Sequence, residues 1–191
     1  MRQKGVVQKG QSMMREETIT ESLIALLLER NLITLNDANK LRQDFARSDE
    51  TAFISFLKDE GVVERDDLLD VLSELYQRPS FDVVGHFFDH QLLLKFPKDF
   101  LLRYGIIPLE VDENMLIIVA ADPEDPNLLK DIGEHVSYDI HFYVSFRDDI
   151  CDAVKEYYDT AITEVTEDGE PLEDNEVDEV EMEILSEQED E

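Results

Sequence analysis

Residues 101–121 read LLRYGIIPLEVDENMLIIVAA and run directly into Asp122-Pro123. Ile106 to Val111 and Met115 to Ala121 are apolar, β-branched runs, separated only by Asp112-Glu113-Asn114. Two such runs around a short polar break predict a β-hairpin. Ahead of it, the periodicity predicts a helix from Pro97 to Tyr104 that stops at Gly105. Behind it, Asp-Pro ends the second strand and opens a helix, because proline lacks the N–H that a first helical turn leaves unpaired.

Working outward, the C-terminal side continues with a helix from Pro126 to Ile132, a strand from Asp139 to Ser145 and a helix from Arg147 to Tyr158. Toward the N-terminus, Arg78-Pro79 breaks a helical pattern and Ser80 to Val84 forms an extended link. Residues 19–79 carry helical periodicity throughout. Thr18 or Thr20 is placed to cap a first helix, with Leu23, Leu26, Leu27 and Ile33 as its apolar positions. Asn31 is placed for the left-handed turn that ends it. Thr34 and Asp37 are spaced close to a capping box. Phe53, Phe56 and Leu57, a stop at Gly61, then Val62-Val63 and Leu68 to Leu75 repeat this grammar about 30 residues on, as two helix–turn–helix halves. The fold class is therefore α+β: a small helical bundle over 19–79, a small α+β part with a short sheet over 80–160. Residues 1–18 read as a flexible basic arm and 161–191 as a disordered acidic tail.

Composition limits what such a chain does. The formal net charge is −30 over 191 residues. Residues 161–191 hold 15 acidic side chains and no Lys or Arg, so half of the excess lies there. Without aromatics, that tail has little to bury. Val180, Met182 and Ile184 alternate with acids, a period that suits an extended peptide joining a partner's sheet edge. A phosphate backbone would be repelled, so no nucleic acid is expected. No apolar run approaches the ~20 residues that span a bilayer, and no apolar segment follows the N-terminal cations as in a secretory signal. The lone Cys151 sits on a predicted helix face, as a small hydrophobe rather than a reactive thiol.

The order of these elements resembles the N-terminal domains of the type II secretion and type IV pilus assembly ATPases. The resemblance is carried by Phe96-Pro97, Arg103-Tyr104, Pro108-Leu109, Ala120 to Pro123 and the closing Tyr157-Tyr158, with Leu72-Ser73 through Pro79-Ser80-Phe81-Asp82-Val83 matching more loosely. It spans residues 20–158. It implies a non-enzymatic adaptor or regulator, cytoplasmic or peripheral at the inner membrane. The partner would be a secretion or pilus component or its motor. Some pilus ATPases of this family bind cyclic di-GMP through two tandem motifs, each with an Arg, a Gly and a second Gly at the helix turn. Here Ser22 and Ala52 fall at the Arg positions, Ile24 and Ile54 at the first Gly, and Asn31 and Gly61 at the turn. The implied alternative is thus a cyclic dinucleotide sensor with a degenerate motif, in which the ligand-binding positions are Asn31, replacing the turn Gly, and Gly61, the one turn Gly retained.

The other constellations are weak. Gly5 to Ser12 has the glycines and Ser of a phosphate loop, but Gln11 stands where Lys must reach the phosphates. His86 and His90 are four apart, yet Phe87 replaces the metalloprotease Glu, and histidines around an aromatic anchor Phe87-Phe88 explain the stretch. Asp148, Asp149 and Asp152 suit the positive end of the last helix. No catalytic residue, metal site or cofactor is expected. For protein contact, Phe96, Phe100, Arg103 and Tyr104 are the candidates, with Phe142 and Phe146 near them, since aromatic and Arg side chains concentrate at hot spots. Aromatics at helical spacing also build cores.

Overall fold

A computed structural model describes residues 19–45 and 50–160. Among them are eight helices and one three-stranded sheet, the α+β arrangement expected. Helix α1 covers residues 19–29, followed by α2 (Leu35–Asp44), α3 (Glu50–Asp59) and α4 (Arg65–Tyr76). Thr20 lies inside α1 rather than at its cap, and Thr18 falls outside the described residues.

The internal repeat is visible in the backbone. Asn31 and Gly61 both adopt left-handed φ, 58° and 60°. Asn31 N–H donates to Leu28 O at 3.0 Å and Leu32 N–H to Leu27 O at 2.9 Å. Thirty residues on, Gly61 N–H reaches Lys58 O at 3.2 Å and Val62 N–H reaches Leu57 O at 3.0 Å. This is the Schellman pattern, which satisfies carbonyls that a helix end would leave open. Leu27 and Leu57, Ile33 and Val63, Ala38 and Leu68 are buried as equivalent pairs. The second helix of each half differs at its start. Thr34 accepts from Asp37 N–H at 3.2 Å while Asp37 accepts from Thr34 N–H at 3.1 Å, a closed capping box. Glu64, before α4, makes no side-chain cap.

The second part begins with an element that the helical spacing did not signal, α5 (His90–Leu93), capped by Asp89 through Gln91 N–H at 2.8 Å. Then come α6 (Lys98–Tyr104), β1 (Ile106–Asp112), β2 (Met115–Ala120), α7 (Leu128–Ile132), β3 (Asp139–Val144) and α8 (Arg147–Thr160). Strand order is β1-β2-β3, with β1 antiparallel and β3 parallel to β2. The hairpin turns at Glu113, φ 52°, and the ladder slips between Pro108 and Glu110. A bulge there fits Pro108, which has no N–H to give the ladder. Gly105 ends α6 at φ 62°; a Cβ on it would stand 2.7 Å from Arg147 Nη1. That guanidinium donates to Leu102 O at 3.1 Å and Arg103 O at 2.8 Å, so it caps the carbonyl end of α6 from the start of α8.

Two apolar clusters form, one among α1–α4 and one around the sheet with α5–α8. Val144 and Phe146, at the end of β3, belong to the helical cluster. The link from α4 is stitched to the same strand end: Val144 N–H donates to Pro79 O at 2.8 Å and Phe81 N–H to Val144 O at 2.9 Å. An ionic cluster surrounds this seam. Asp149 holds Lys58 at 2.8 Å and Arg65 at 2.7 Å, the latter as an ion pair outside hydrogen-bond alignment. Arg65 also forks onto Asp82 at 3.0 and 2.5 Å, and Ser55 donates to Asp148. Both cations lie over the Phe146 ring, at 5.4 and 5.0 Å. The Asp82 and Asp149 partners raise the Arg65 pKa still further, and hydrogen bonding to Arg65 holds Asp82 below the usual carboxylate range.

Candidate partner-docking surface

The residues singled out for protein contact do come together, but they divide between core and surface. Phe96 and Phe100 stack at 5.9 Å and 10°, and both are buried. Tyr104 packs on Phe100 at 5.1 Å, half-buried. Arg103 alone of the four is largely exposed (side chain 64%), lying over the Tyr104 ring at 4.7 Å and the Phe100 ring at 5.8 Å. Phe142 and Phe146 are buried in different clusters. The tail positions Val180, Met182 and Ile184 lie outside the described residues.

Helix α7 supplies what the sequence did not reveal. Tyr104 OH donates to Asp131, which also receives Arg103 at 3.5 Å and Lys130 at 3.6 Å. Lys130 reaches on to Glu134 at 3.6 Å, and the exposed His135 sets its ring 4.5 Å from Phe100. The Asp131 hydrogen bond raises the Tyr104 pKa, and the same bond lowers that of Asp131. Arg103, Tyr104, Lys130, Asp131 and His135 thus form a polar patch over an aromatic base. Chemically it offers a stacked guanidinium and a fixed carboxylate, groups that bind by hydrogen bond and charge.

At the turns, Asn31 and Gly61 are exposed and keep the left-handed geometry of the repeat. The surrounding positions differ in depth. Ile24 is fully buried in the helical core, Ile54 is half-buried, Ser22 is half-buried and Ala52 exposed. The two cations flanking the second turn, Lys58 and Arg65, are committed to Asp149 and Asp82.

Around the link, the expected aromatic anchor splits. Phe88 is buried, with its N–H donating to Tyr157 OH at 2.6 Å, whereas Phe87 is 92% exposed. No helix carries both His86 and His90, since α5 opens at His90, and no metal-holding group of His, Cys, Asp or Glu occurs among the described residues. His86 instead packs edge-on between Phe81 and Phe88 at 5.0 and 4.7 Å. Cys151 is half-buried, and burial raises its thiol pKa. No described helix is long and apolar enough to cross a membrane.

Residues 88–164 match the MshEN domain family. Two solved structures share the fold. A structure of MshE with cdg is 19% identical, with TM-score 0.54, over 71% of this chain and 98% of that one. The N-terminal domain of XpsE is also 19% identical, with TM-score 0.51, over 72% and 94% respectively. No curated protein matches the sequence. Residues 88–164 are therefore similar to the MshEN domain, and the described part of the chain has the fold seen in MshE and in the N-terminal domain of XpsE.

Proposed function

We propose that this protein is a non-enzymatic adaptor or regulator that works by protein–protein contact in a secretion or pilus assembly system. The observation that carries this reading is the MshEN match over residues 88–164, set in the fold of MshE and XpsE N-terminal regions. Its place would be the cytoplasm, or the inner-membrane face through a partner, and the partner an inner-membrane component or the motor. Neither nucleic acid nor direct membrane insertion enters this reading, given the charge of −30. The Arg103–Tyr104–Asp131 patch is one contact region it offers. Affinity capture of the full chain from native cytoplasm, with wild type and Arg103→Ala side by side, tests it. Enrichment of a secretion or pilus component supports the reading; enrichment of no such component counts against it.

The second reading is a cyclic dinucleotide sensor. It is favoured by the left-handed turns at Asn31 and Gly61 and by the MshE structure with cdg. Against it stand the replaced arginines at Ser22 and Ala52 and the bulk at Ile24 and Ile54. Equilibrium dialysis with cyclic di-GMP decides between the two readings.

A further inference from the structure

The buried residues divide between the helical repeat, α1–α4, and the sheet part that follows it. Among the described residues, only Val144 and Phe146 cross that division, packing into the helical cluster from the end of β3. The chain itself crosses once. Gln77 ends α4 at φ 51°. Arg78 is still tied to that helix, by its N–H to Ser73 O at 3.1 Å and by Ser73 Oγ to its carbonyl at 2.7 Å. Pro79 already accepts from Val144 N–H at 2.8 Å. The step from one part to the other is therefore Arg78-Pro79.

What else spans the division is charge. Lys58 of α3 and Arg65 of α4 both reach Asp149 of α8, at 2.8 and 2.7 Å. Arg65 continues to Asp82 on the link, and Ser55 of α3 donates to Asp148. Both cations also lie over the Phe146 ring. The Lys58 and Asp149 side chains are only 14% and 12% exposed, so each needs the other's charge at that depth. Lys58 has Asp59 of its own helix at 3.6 Å as well, but that carboxylate is 63% exposed. The cations of the first half stay within the repeat: Arg30 pairs with Glu74 and Arg42 with Glu21. Among the described residues, the two parts thus meet through one buried ring, one buried valine and two cations facing carboxylates. Compact parts joined in this polar way move relative to each other, whereas a large hydrophobic join suppresses such motion.

We infer that Asp149, Lys58 and Arg65 form an ionic latch that fixes the orientation of the helical repeat on the sheet part, and that the repeat swings about Phe146 and Arg78-Pro79 once the latch opens. Its cations come from one part and its carboxylates, Asp149 and Asp82, from the other, so their attraction acts across the division. The latch stands apart from the adaptor reading, which holds whether or not the repeat moves.

The test measures the distance between the parts by pulsed electron resonance in the full chain. Spin labels are carried on cysteines at exposed Lys40 of α2 and exposed Asp112 at the hairpin, with Cys151→Ala as background. The latched protein should give one narrow distance at low salt. Asp149→Asn should raise the open population roughly 10- to 100-fold, the range for one lost charge-assisted bond, and add a second, broader distance. Molar salt should broaden the wild-type distance less strongly, because Arg65–Asp82 is open to solvent while Lys58–Asp149 is not. Asp152→Asn, on the outside of the same helix and paired with Lys155 at 2.9 Å, should change nothing. Superimposable distances for wild type, Asp149→Asn and Arg65→Gln would overturn the latch. An equal response to Asp152→Asn would reduce the effect to bulk charge and overturn it too. Should both latch variants lose the fold, the salt arm on wild type decides: an unchanged distance there would make the cluster a plain structural support and overturn the inference.

Discussion

Gly105→Ala tests how the hairpin is joined to α6 and α8, and Gly61→Ala supplies its internal control. Both glycines hold left-handed φ, so alanine carries a backbone cost of about 1 kcal/mol at either site. At Gly61 nothing lies near the new Cβ, and the cost stops there. At Gly105 the Cβ would stand 2.7 Å from Arg147 Nη1 and 3.2 Å from its Cγ. The guanidinium must move off the Leu102 and Arg103 carbonyls, which it now reaches at 3.1 and 2.8 Å. Two charge-assisted bonds, discounted for a half-exposed side chain, add roughly 2 kcal/mol. Gly105→Ala should therefore lose about 3 kcal/mol, which for a chain of this size lowers the melting temperature by roughly 6–12 °C. Arg147→Ala alone should lose about 2 kcal/mol, and the double variant about 3 rather than 5, because the same bonds cannot be lost twice. Urea unfolding of the four variants beside wild type measures all of this. Equal destabilisation by Gly61→Ala and Gly105→Ala, or strict additivity with Arg147→Ala, would refute the capping role.

Three further outcomes follow from the seam and the candidate surfaces. Asp82 has its pKa depressed by Arg65, so its contribution to stability is present above about pH 4, the unfolded value, and is lost as pH falls through the folded pKa; Asp82→Asn should flatten acid unfolding below pH about 4, and an unaltered acid limb would show that the pair is not felt. Arg103→Ala should leave urea unfolding nearly unchanged while Phe100→Ala lowers it by about 3–5 kcal/mol, since the first is exposed and the second buried; similar losses would place Arg103 in the core. Calorimetric titration with cyclic di-GMP should show no binding at low micromolar ligand, because two lost bidentate arginine contacts cost more than a hundredfold in affinity, at about 1.5–3 kcal/mol each. Tight binding there would promote the sensor reading.

The sheet and its helices were legible because their signals are local. Branched runs on either side of Asp112-Glu113-Asn114 leave few alternatives to a hairpin, and Thr34 with Asp37 three residues on writes a cap directly into the chain. The thirty-residue repeat was legible because both turns demand the same left-handed residue, filled once by Asn31 and once by Gly61. Long-range pairings were not. Nothing local tells that Arg147 caps α6, that Asp149 gathers Lys58 and Arg65, or that Asp131 receives Tyr104. Helix α5, with four residues, is too short to show a period. For the candidate surface, composition identified aromatic and Arg residues but not their depth: Phe96 and Phe100 went inside, Arg103 stayed out, and in Phe87-Phe88 the inward ring was decided by Tyr157, far along the chain.

The central claim is that the protein acts by docking its folded part onto a secretion or pilus assembly component. A photo-crosslinking amino acid placed in living cells at Arg103 and at Lys130, with exposed Glu113 as the control position, measures this most directly. The account predicts a discrete crosslinked product at one or both test positions, absent from the control, which mass spectrometry assigns to such a component. Products indistinguishable from those at Glu113, or a discrete product with a protein foreign to secretion and pilus assembly, would contradict it.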